Sequence, residues 1–256
     1  LESYLKKNTI IKNHRCINKK TKRIIRAIIP VHVFGHPCDM EKIIKILKKY
    51  NLIILEDATE ALGSFYKNKH VGNFGKIGVF SFNGNKIVTT GGGGAIVTNN
   101  KKLAKKIKHL SSTAKIKHKW RYIHDEIGYN YRLPAINSSI GYSQLINFKK
   151  NISLKNKIYE MYEKKFSKLS EVALVKSPKN CKSNYWLQTL YLKNGSDKLK
   201  NEIIKECHKN KIYVRPLWDL LPSLKMYRNC PKMKLENSKI AYYSAINLPS
   251  SSNIIK

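Results

Sequence analysis

From residue 23 onward, apolar and polar positions fall into blocks that read as strand, helix, strand. Arg23 to Val33 (RIIRAIIPVHV) is an apolar, β-branched run of the kind that fills a buried strand. Asp39 is a suitable N-cap, and Met40, Ile43, Ile44, Ile46, Leu47 and Tyr50 follow at helical spacing. Leu52 to Leu55 is a second buried strand that runs into Glu56 and Asp57. Together these predict a βαβ unit crossing over right-handedly into a parallel sheet, with acidic residues at the carboxyl end of a strand, where open α/β sheets bind ligands. Residues 1 to 22 are polar and lysine-rich and read as a helix end plus loop. Ala58 to Gly63 reads as a short turn or helix. Ile77 to Phe82 predicts a third strand, and Ala95 to Thr98 a fourth that pairs back after a glycine-rich turn. Lys101 to Leu110 is a basic helix over a stripe of Leu103, Ile107 and Leu110. Residues 118 to 134 are aromatic and polar with no clean period. Helices are predicted over Ala135–Phe148 and Ile152–Leu169, with a domain boundary near residue 150. Beyond it, a strand over Tyr185–Leu192, a helix over Asp197–Asn210 and a strand over Ile212–Leu217 make a small α+β domain with an extended tail around one further helix.

Composition adds one anomaly to an otherwise globular chain. Of 256 residues, 42% are hydrophobic, which excludes a disordered protein, yet 50 Lys+Arg face 16 Asp+Glu for a net charge of +34. A charge of that size normally points to a polyanion. Here it is mostly lysine spread along the whole chain, which reads as compositional bias on tolerant surface positions. Five cysteines are widely separated, without CxxC or other metal-ligand spacing, and predict reduced thiols in a cytoplasmic protein with no metal. No apolar run approaches the roughly 20 residues that span a bilayer.

The stretch from Gly78 to Gly94 breaks the lysine pattern. An apolar strand leads into a polar turn holding Lys86, then two threonines and four consecutive glycines, with no other charged residue between Lys76 and Lys101. A lysine held near apolar groups can lose its proton, and the neutral amine can form a Schiff base. Asp57, at the end of a neighbouring strand, reaches the same crevice. Pyridoxal phosphate needs that pair: an amine for its aldehyde and an acid to keep its ring nitrogen protonated. A structural ion pair satisfies the same spacing.

The surrounding letters carry a resemblance. His32-x-x-Gly35, Glu56-Asp57-Ala58-x-Glu60-Ala61-Leu62-Gly63, Gly78-x-Phe80-Ser81-Phe82-x-x-x-Lys86, Thr90-Gly91-x-Gly93-Gly94 and Gly128-Tyr129-Asn130-Tyr131-Arg132 occur in that order. Over essentially the whole chain they resemble the DegT/DnrJ/EryC1/StrS sugar aminotransferases, in particular the LegC-like branch that aminates keto sugars. The resemblance implies a fold-type I, pyridoxal-phosphate-dependent α/β fold, with a mostly parallel large-domain sheet over residues 1–150 and a small α+β domain over 151–256. It implies Lys86 as the Schiff-base lysine and proton shuttle, Asp57 against the pyridinium nitrogen, and Ser81 on the cofactor phosphate. Asn130 is implied to reach the cofactor of a partner subunit in a homodimer. Glu60 stands where many relatives carry glutamine or histidine near the ring hydroxyl, a contact that needs a proton on one side. His124 and Arg215 are candidates for the nucleotide-sugar diphosphate. His32 fits either a site residue or a satisfied core histidine, and Trp120 and Trp218 fit either stacking on a base or sugar or ordinary packing.

The implied reaction moves the amino group of L-glutamate to C4 of a UDP- or GDP-linked 4-keto-6-deoxy sugar, as in the biosynthesis of legionaminic acid, bacillosamine or perosamine. The family's N-terminal phosphate-binding turn and ring-stacking aromatic are not found before Leu1, which predicts a large-domain sheet that is N-terminally incomplete and a chain with weak or absent cofactor binding. The alternatives are an inactive fragment or a basic polyanion-binding module, the latter resting on the net charge alone.

Overall fold

The computed structural model describes residues 1–255. Its central sheet grows from the βαβ pattern. β1 (Ala27–Ile28) pairs in parallel with β2 (Ile53–Asp57), which pairs in parallel with β3 (Ile77–Ser81). β4 (Gly94–Val97) closes the sheet antiparallel to β3, with Ser81 opposite Gly94. Helix α1 (Met40–Lys48) connects β1 to β2, and its N-cap is Asp39, whose side chain accepts from the Lys42 amide at 3.2 Å. Met40 and Leu47 of α1 bury against Leu52, Ile54, Leu5 and Cys16.

The apolar run from 23 to 33 is not one buried strand. Ile24–Ile25 joins an antiparallel hairpin made by Thr9–Lys12 and Arg15–Asn18, whereas Ala27–Ile28 joins the central sheet. Residues 1 to 22 are therefore a helix (Glu2–Asn8) and that hairpin rather than a helix end and loop. Nor is β2 buried on both faces: Ile54 is covered by α1, while Ile53 on the opposite face is 41% exposed, as is Ile96 of β4 at 50%. The sheet is packed on one side only, so hydrophobic runs that look buried on both faces alternate between core and solvent.

After β4, helix α2 (Lys101–Ser111) carries Leu103, Ile107 and Leu110 as a half-buried stripe, and α3 (Ala135–Ile146) and α4 (Phe148–Phe166) follow nearly end to end. A second sheet, wholly antiparallel, has the order β5 (Val172–Leu174), β6 (Gln188–Leu192), then the C-terminal β8 (Ala245–Leu248), with β7 (Arg215–Pro216) at its edge. Helices α5 (Asp197–Lys209) and α6 (Glu236–Ser244) flank it. β6 starts at Gln188, later than the sequence predicts, because Asn184, Tyr185 and Trp186 form an irregular entry with Tyr185 at positive φ. That entry packs on segments that lie beyond the ends of the central strands, with Trp186 in one cluster with Phe34 and Ile87. Among the described residues, no helix is long and apolar enough to cross a membrane.

Candidate active site

The carboxyl ends of the parallel strands β2 and β3 lie side by side, with Asp57 opposite Val79 in register. Asp57 ends β2, Glu60 follows one turn later, Ser81 ends β3, and Lys86 sits in the loop beyond it. That loop is closed by backbone hydrogen bonds: the Lys86 amide donates to Asn83 O (3.0 Å), Thr90 to Phe82 O (2.9 Å) and Phe82 to Gly93 O (2.9 Å). The glycines after it serve two purposes. Gly91 and Gly93 take positive φ, and a Cβ on Gly94 would lie 2.4 Å from Phe80 O, so the return strand cannot approach β3 with a side chain there.

Lys86 is 13% exposed, and among the described residues its Nζ makes no hydrogen bond. Its neighbours are Glu60 Oε1 at 3.9 Å and the face of Trp186, whose centroid is 3.8 Å away. Burial lowers the lysine's pKa, against the opposing charges of Glu60 and Asp57. Glu60, 11% exposed, is shifted upward by burial, against the Phe34 amide and the Lys86 charge that would lower it, with Asp57 adding to the rise. A strong ion pair would move both groups the other way. Both instead move toward their neutral forms, because each is desolvated more than its partner compensates. The donor to Glu60 is itself unusual: Phe34 N–H reaches Oε2 at 2.7 Å from a backbone at φ 57°, a left-handed conformation that costs a bulky residue about 1–2 kcal/mol.

Asp57 is oriented by Thr59, whose amide (3.1 Å) and hydroxyl (2.6 Å) both donate to Oδ1. Oδ2 has no partner among the described residues and is left to accept from a ligand N–H. The Ser81 hydroxyl accepts from the Asn83 amide at 3.3 Å and keeps its own proton available for donation. A free amine, an oriented carboxylate with one open oxygen and a free hydroxyl are the groups that the aldehyde, ring nitrogen and phosphate of pyridoxal phosphate require, so the residues present fit that cofactor.

The other candidates lie apart from this cluster. Asn130 is exposed, forms an isolated bridge with Ser112, and lines a concavity of about 1000 Å³ between β4, α2 and the 130–137 segment, which none of Asp57, Glu60, Ser81 or Lys86 lines. His124 is exposed and its Nδ1 lies 2.7 Å from Thr113 O; Arg215 is exposed on the edge strand β7. His32 resolves as a core histidine: it is fully buried, accepts from the Cys38 amide at Nδ1 (3.0 Å), and so donates from Nε2 to Glu56 (3.2 Å). Glu56, expected at the ligand-binding end of its strand, is also interior. Trp120 is 76% exposed, its ring 5.2 Å from that of His118, whereas Trp218 lies beside the site, stacked on Trp186 (6.1 Å between centroids) and against Phe34 (5.1 Å).

Sequence reasoning missed Trp186 and Asn184. The Asn184 side chain, fully buried, donates to Glu60 O (2.8 Å) and Leu62 O (2.9 Å), and its Oδ1 accepts from the Trp186 amide (2.9 Å). It also explains Gly35, where a Cβ would fall 1.8 Å from Asn184 Oδ1. Both residues lie about a hundred positions from Lys86, Trp186 inside an apolar run and Asn184 just ahead of it; only the two polar residues ahead of the run, Ser183 and Asn184, hint at anything but strand.

Comparison with known proteins places the chain in a family. The DegT/DnrJ/EryC1/StrS aminotransferase family matches residues 6–256. The chain is 38% identical over 239 residues to a GDP-perosamine synthase of Escherichia coli O157:H7, covering 91% of this chain and 63% of that protein. It is 32% identical over 227 residues to the UDP-4-amino-4,6-dideoxy-N-acetyl-beta-L-altrosamine transaminase of Campylobacter jejuni (strain 81-176), covering 88% and 60%. Among solved structures, Helicobacter pylori PseC, an aminotransferase involved in the biosynthesis of pseudoaminic acid, superposes with a TM-score of 0.83 at 29% identity, covering 93% of this chain and 63% of PseC. The chain thus spans less than two thirds of the length of these relatives.

Proposed function

The chain belongs to the DegT/DnrJ/EryC1/StrS aminotransferase family, and from that membership we propose that it acts in pyridoxal-phosphate-dependent transfer of the amino group of L-glutamate to C4 of a GDP- or UDP-linked 4-keto-6-deoxy sugar. The observation that carries this reading is Lys86: a nearly buried amine with no hydrogen-bond partner among the described residues, set between a carboxyl group and an aromatic face. The names of the relatives, a GDP-perosamine synthase and a UDP-amino-sugar transaminase, support a nucleotide-linked sugar as substrate.

Pyridoxal phosphate supplies the electron sink that stabilises negative charge at the carbon exchanging its proton. The chain's own residues do the rest. Lys86 would hold the cofactor through Nζ and, when released, would move a proton at that nitrogen, taking it as an amine and returning it as an ammonium. Burial, which lowers that amine's pKa from its ordinary value, favours this task. Asp57 Oδ2 accepts from the ring nitrogen, with Thr59 fixing the carboxylate's orientation. Ser81 donates its hydroxyl to the phosphate. Glu60, whose carboxyl burial pushes upward from its ordinary value, stands beside Lys86 where a contact with the ring hydroxyl would be made.

Asn130, His124 and Arg215 lie outside this cluster, which is consistent with Asn130 serving the site of a second copy and the other two meeting the sugar nucleotide. The exposed Ile136, Ile140, Leu145 and Ile146 of α3 support a homodimer. The test is capture of pyridoxal phosphate by the protein, followed by borohydride reduction and peptide mapping. The expected label is on Lys86, lost in Lys86→Ala. Lys86→Ala that still acquires the chromophore overturns the reading. Glutamate with a panel of GDP- and UDP-linked keto sugars then identifies the acceptor.

A further inference from the structure

Trp186 belongs to none of the motifs that mark the site, yet it contacts the lysine segment in two ways. Its indole N–H donates to Asn85 O at 2.7 Å, the carbonyl just before Lys86, and its ring face lies 3.8 Å from Lys86 Nζ. The residue is buried and gripped from behind. Its amide donates to Asn184 Oδ1 (2.9 Å), and its carbonyl accepts from Lys155 Nζ of α4 (3.0 Å), an ammonium that also reaches Ser250 O. Asn184 in turn pins the Glu60 segment through its carbonyl. One side chain at the entry of the second sheet is thus fixed relative to both groups of the Glu60–Lys86 pair.

We propose that Trp186 is the positioning residue for Lys86: its N–H fixes the loop that carries the lysine, and its face is the resting place of the lysine's ammonium. The proposal rests on the reading of Lys86 as the cofactor amine. An aromatic face attracts a cation and does little for a neutral amine, so the contact distinguishes the two protonation states. It also leaves no hydrogen bond to break before the amine reacts. A carboxylate at hydrogen-bond distance would hold the charge more strongly and keep the lysine from its task. The other charged groups acting on Lys86 are Glu60 and Asp57, both favouring the ammonium, while Lys155 lies on the far side of Trp186, at its backbone carbonyl. Trp218 stacks on Trp186 and brings no charge.

The test is competitive acetylation of the cofactor-free chain with acetic anhydride across pH, read at each lysine by mass spectrometry. In Trp186→Leu the Lys86 midpoint should fall by roughly half a pH unit to one and a half, the loss of a cation–π contact. In Trp186→Phe, which keeps a ring face and loses the N–H, the midpoint should stay near the parent's while borohydride-trapped pyridoxal phosphate at Lys86 decreases several-fold. A purely structural tryptophan would not separate the two variants in this way. Tryptophan fluorinated on its benzo ring keeps shape and N–H and weakens the face. Incorporated into the parent chain, it should lower the Lys86 midpoint stepwise with fluorine count, a measurement that stands even if Trp186→Leu fails to fold. A midpoint indifferent to fluorination overturns the proposal. If acetylation shows the dependence and pyridoxal phosphate never labels Lys86, the positioning role survives and the cofactor reading fails. If pyridoxal phosphate labels Lys86 and the midpoint never moves, the reverse holds.

Discussion

Two glutamates four residues apart at the end of β2 meet opposite fates. Glu56 is fully buried and saturated: Oε1 accepts from the amides of Phe74 (2.5 Å) and Gly75 (2.6 Å), and Oε2 from the Gly72 amide (2.7 Å) and His32 Nε2 (3.2 Å). Burial alone would raise its pKa, but His32 and the three amides outweigh it and the carboxyl is held below its ordinary value. Glu60 has one amide donor, and its other oxygen faces Lys86 across 3.9 Å; burial wins, and its pKa rises. Donor saturation, rather than burial, decides which carboxylate is structural and which remains chemically adjustable. The same contrast separates the lysines. Lys200, more deeply buried than Lys86 and also over an aromatic ring, is bound by Asp197 (2.8 Å) and Tyr242 O (2.9 Å). Lys86 has a ring and, among the described residues, no hydrogen bond.

The largest expected effect breaks the saturated member. Glu56→Gln turns one acceptor oxygen into an amide group facing N–H donors, and should cost about 3–5 kcal/mol in urea unfolding, as for a broken buried charge network. Glu60→Gln should cost less than about 1 kcal/mol at neutral pH. Equal costs would end the comparison. Acid titration sharpens it, because the signs are opposite. Glu56, with a lowered native pKa, contributes stability that is complete above its unfolded value of 4.5 and is lost as pH falls through the native value. Glu60, with a raised one, carries a cost that is complete above its native value and disappears as pH falls toward 4.5. Any stability advantage of Glu60→Gln over the parent should therefore shrink as pH is lowered from neutrality.

Which glutamate would be which was not legible in the sequence. The βαβ unit, the Asp39 cap and the antiparallel return after the glycines were, because they depend on periodicity and local backbone demands near each residue. The identity of Asp57, Ser81 and Lys86 as one cluster was legible through motif order. Glu56 and Glu60 differ in what His32 and the 70–75 loop bring to the one and the Phe34 turn to the other, and all of these donors but His32 are backbone amides, which no side-chain pattern encodes. The run from 23 to 33 misled for a related reason: β-branched residues announce extended chain, not which sheet receives it or whether both faces are covered. Trp186 and Asn184 act at a separation of about a hundred residues, where sequence carries no distance information.

A second effect, similar in size but visible only with pH, concerns Lys155. Its ammonium is spent on two backbone carbonyls, and burial brings its pKa from 10.5 down to about 8. The native state therefore releases this proton before the unfolded state does, and stability gains from the group between pH 8 and 10.5, by about 3 kcal/mol over the full interval. Lys155→Met should lack that rise, measured as the difference between the parent and variant urea midpoints at each pH. A parallel pair of curves would mean that the carbonyl contacts compensate the buried charge in full, and the contrast with Lys86 would lose its middle case.

The smallest effect is the most specific. Glu60 is the first of the two charges that favour the Lys86 ammonium, and Asp57 the second. Glu60→Gln should therefore lower the acetylation midpoint of Lys86 by roughly one pH unit, and Asp57→Asn by less, while Lys200 keeps the parent's behaviour in both. The order matters more than the size. Asp57 is already turned toward Thr59 and offers the lysine only distant charge, whereas Glu60 presents an oxygen with no other donor among the described residues. If Asp57→Asn moved the midpoint further, the carboxylate assigned to the ring nitrogen would be the lysine's true counter-charge. Glu60 would then be a second Glu56, held by its amide and inert.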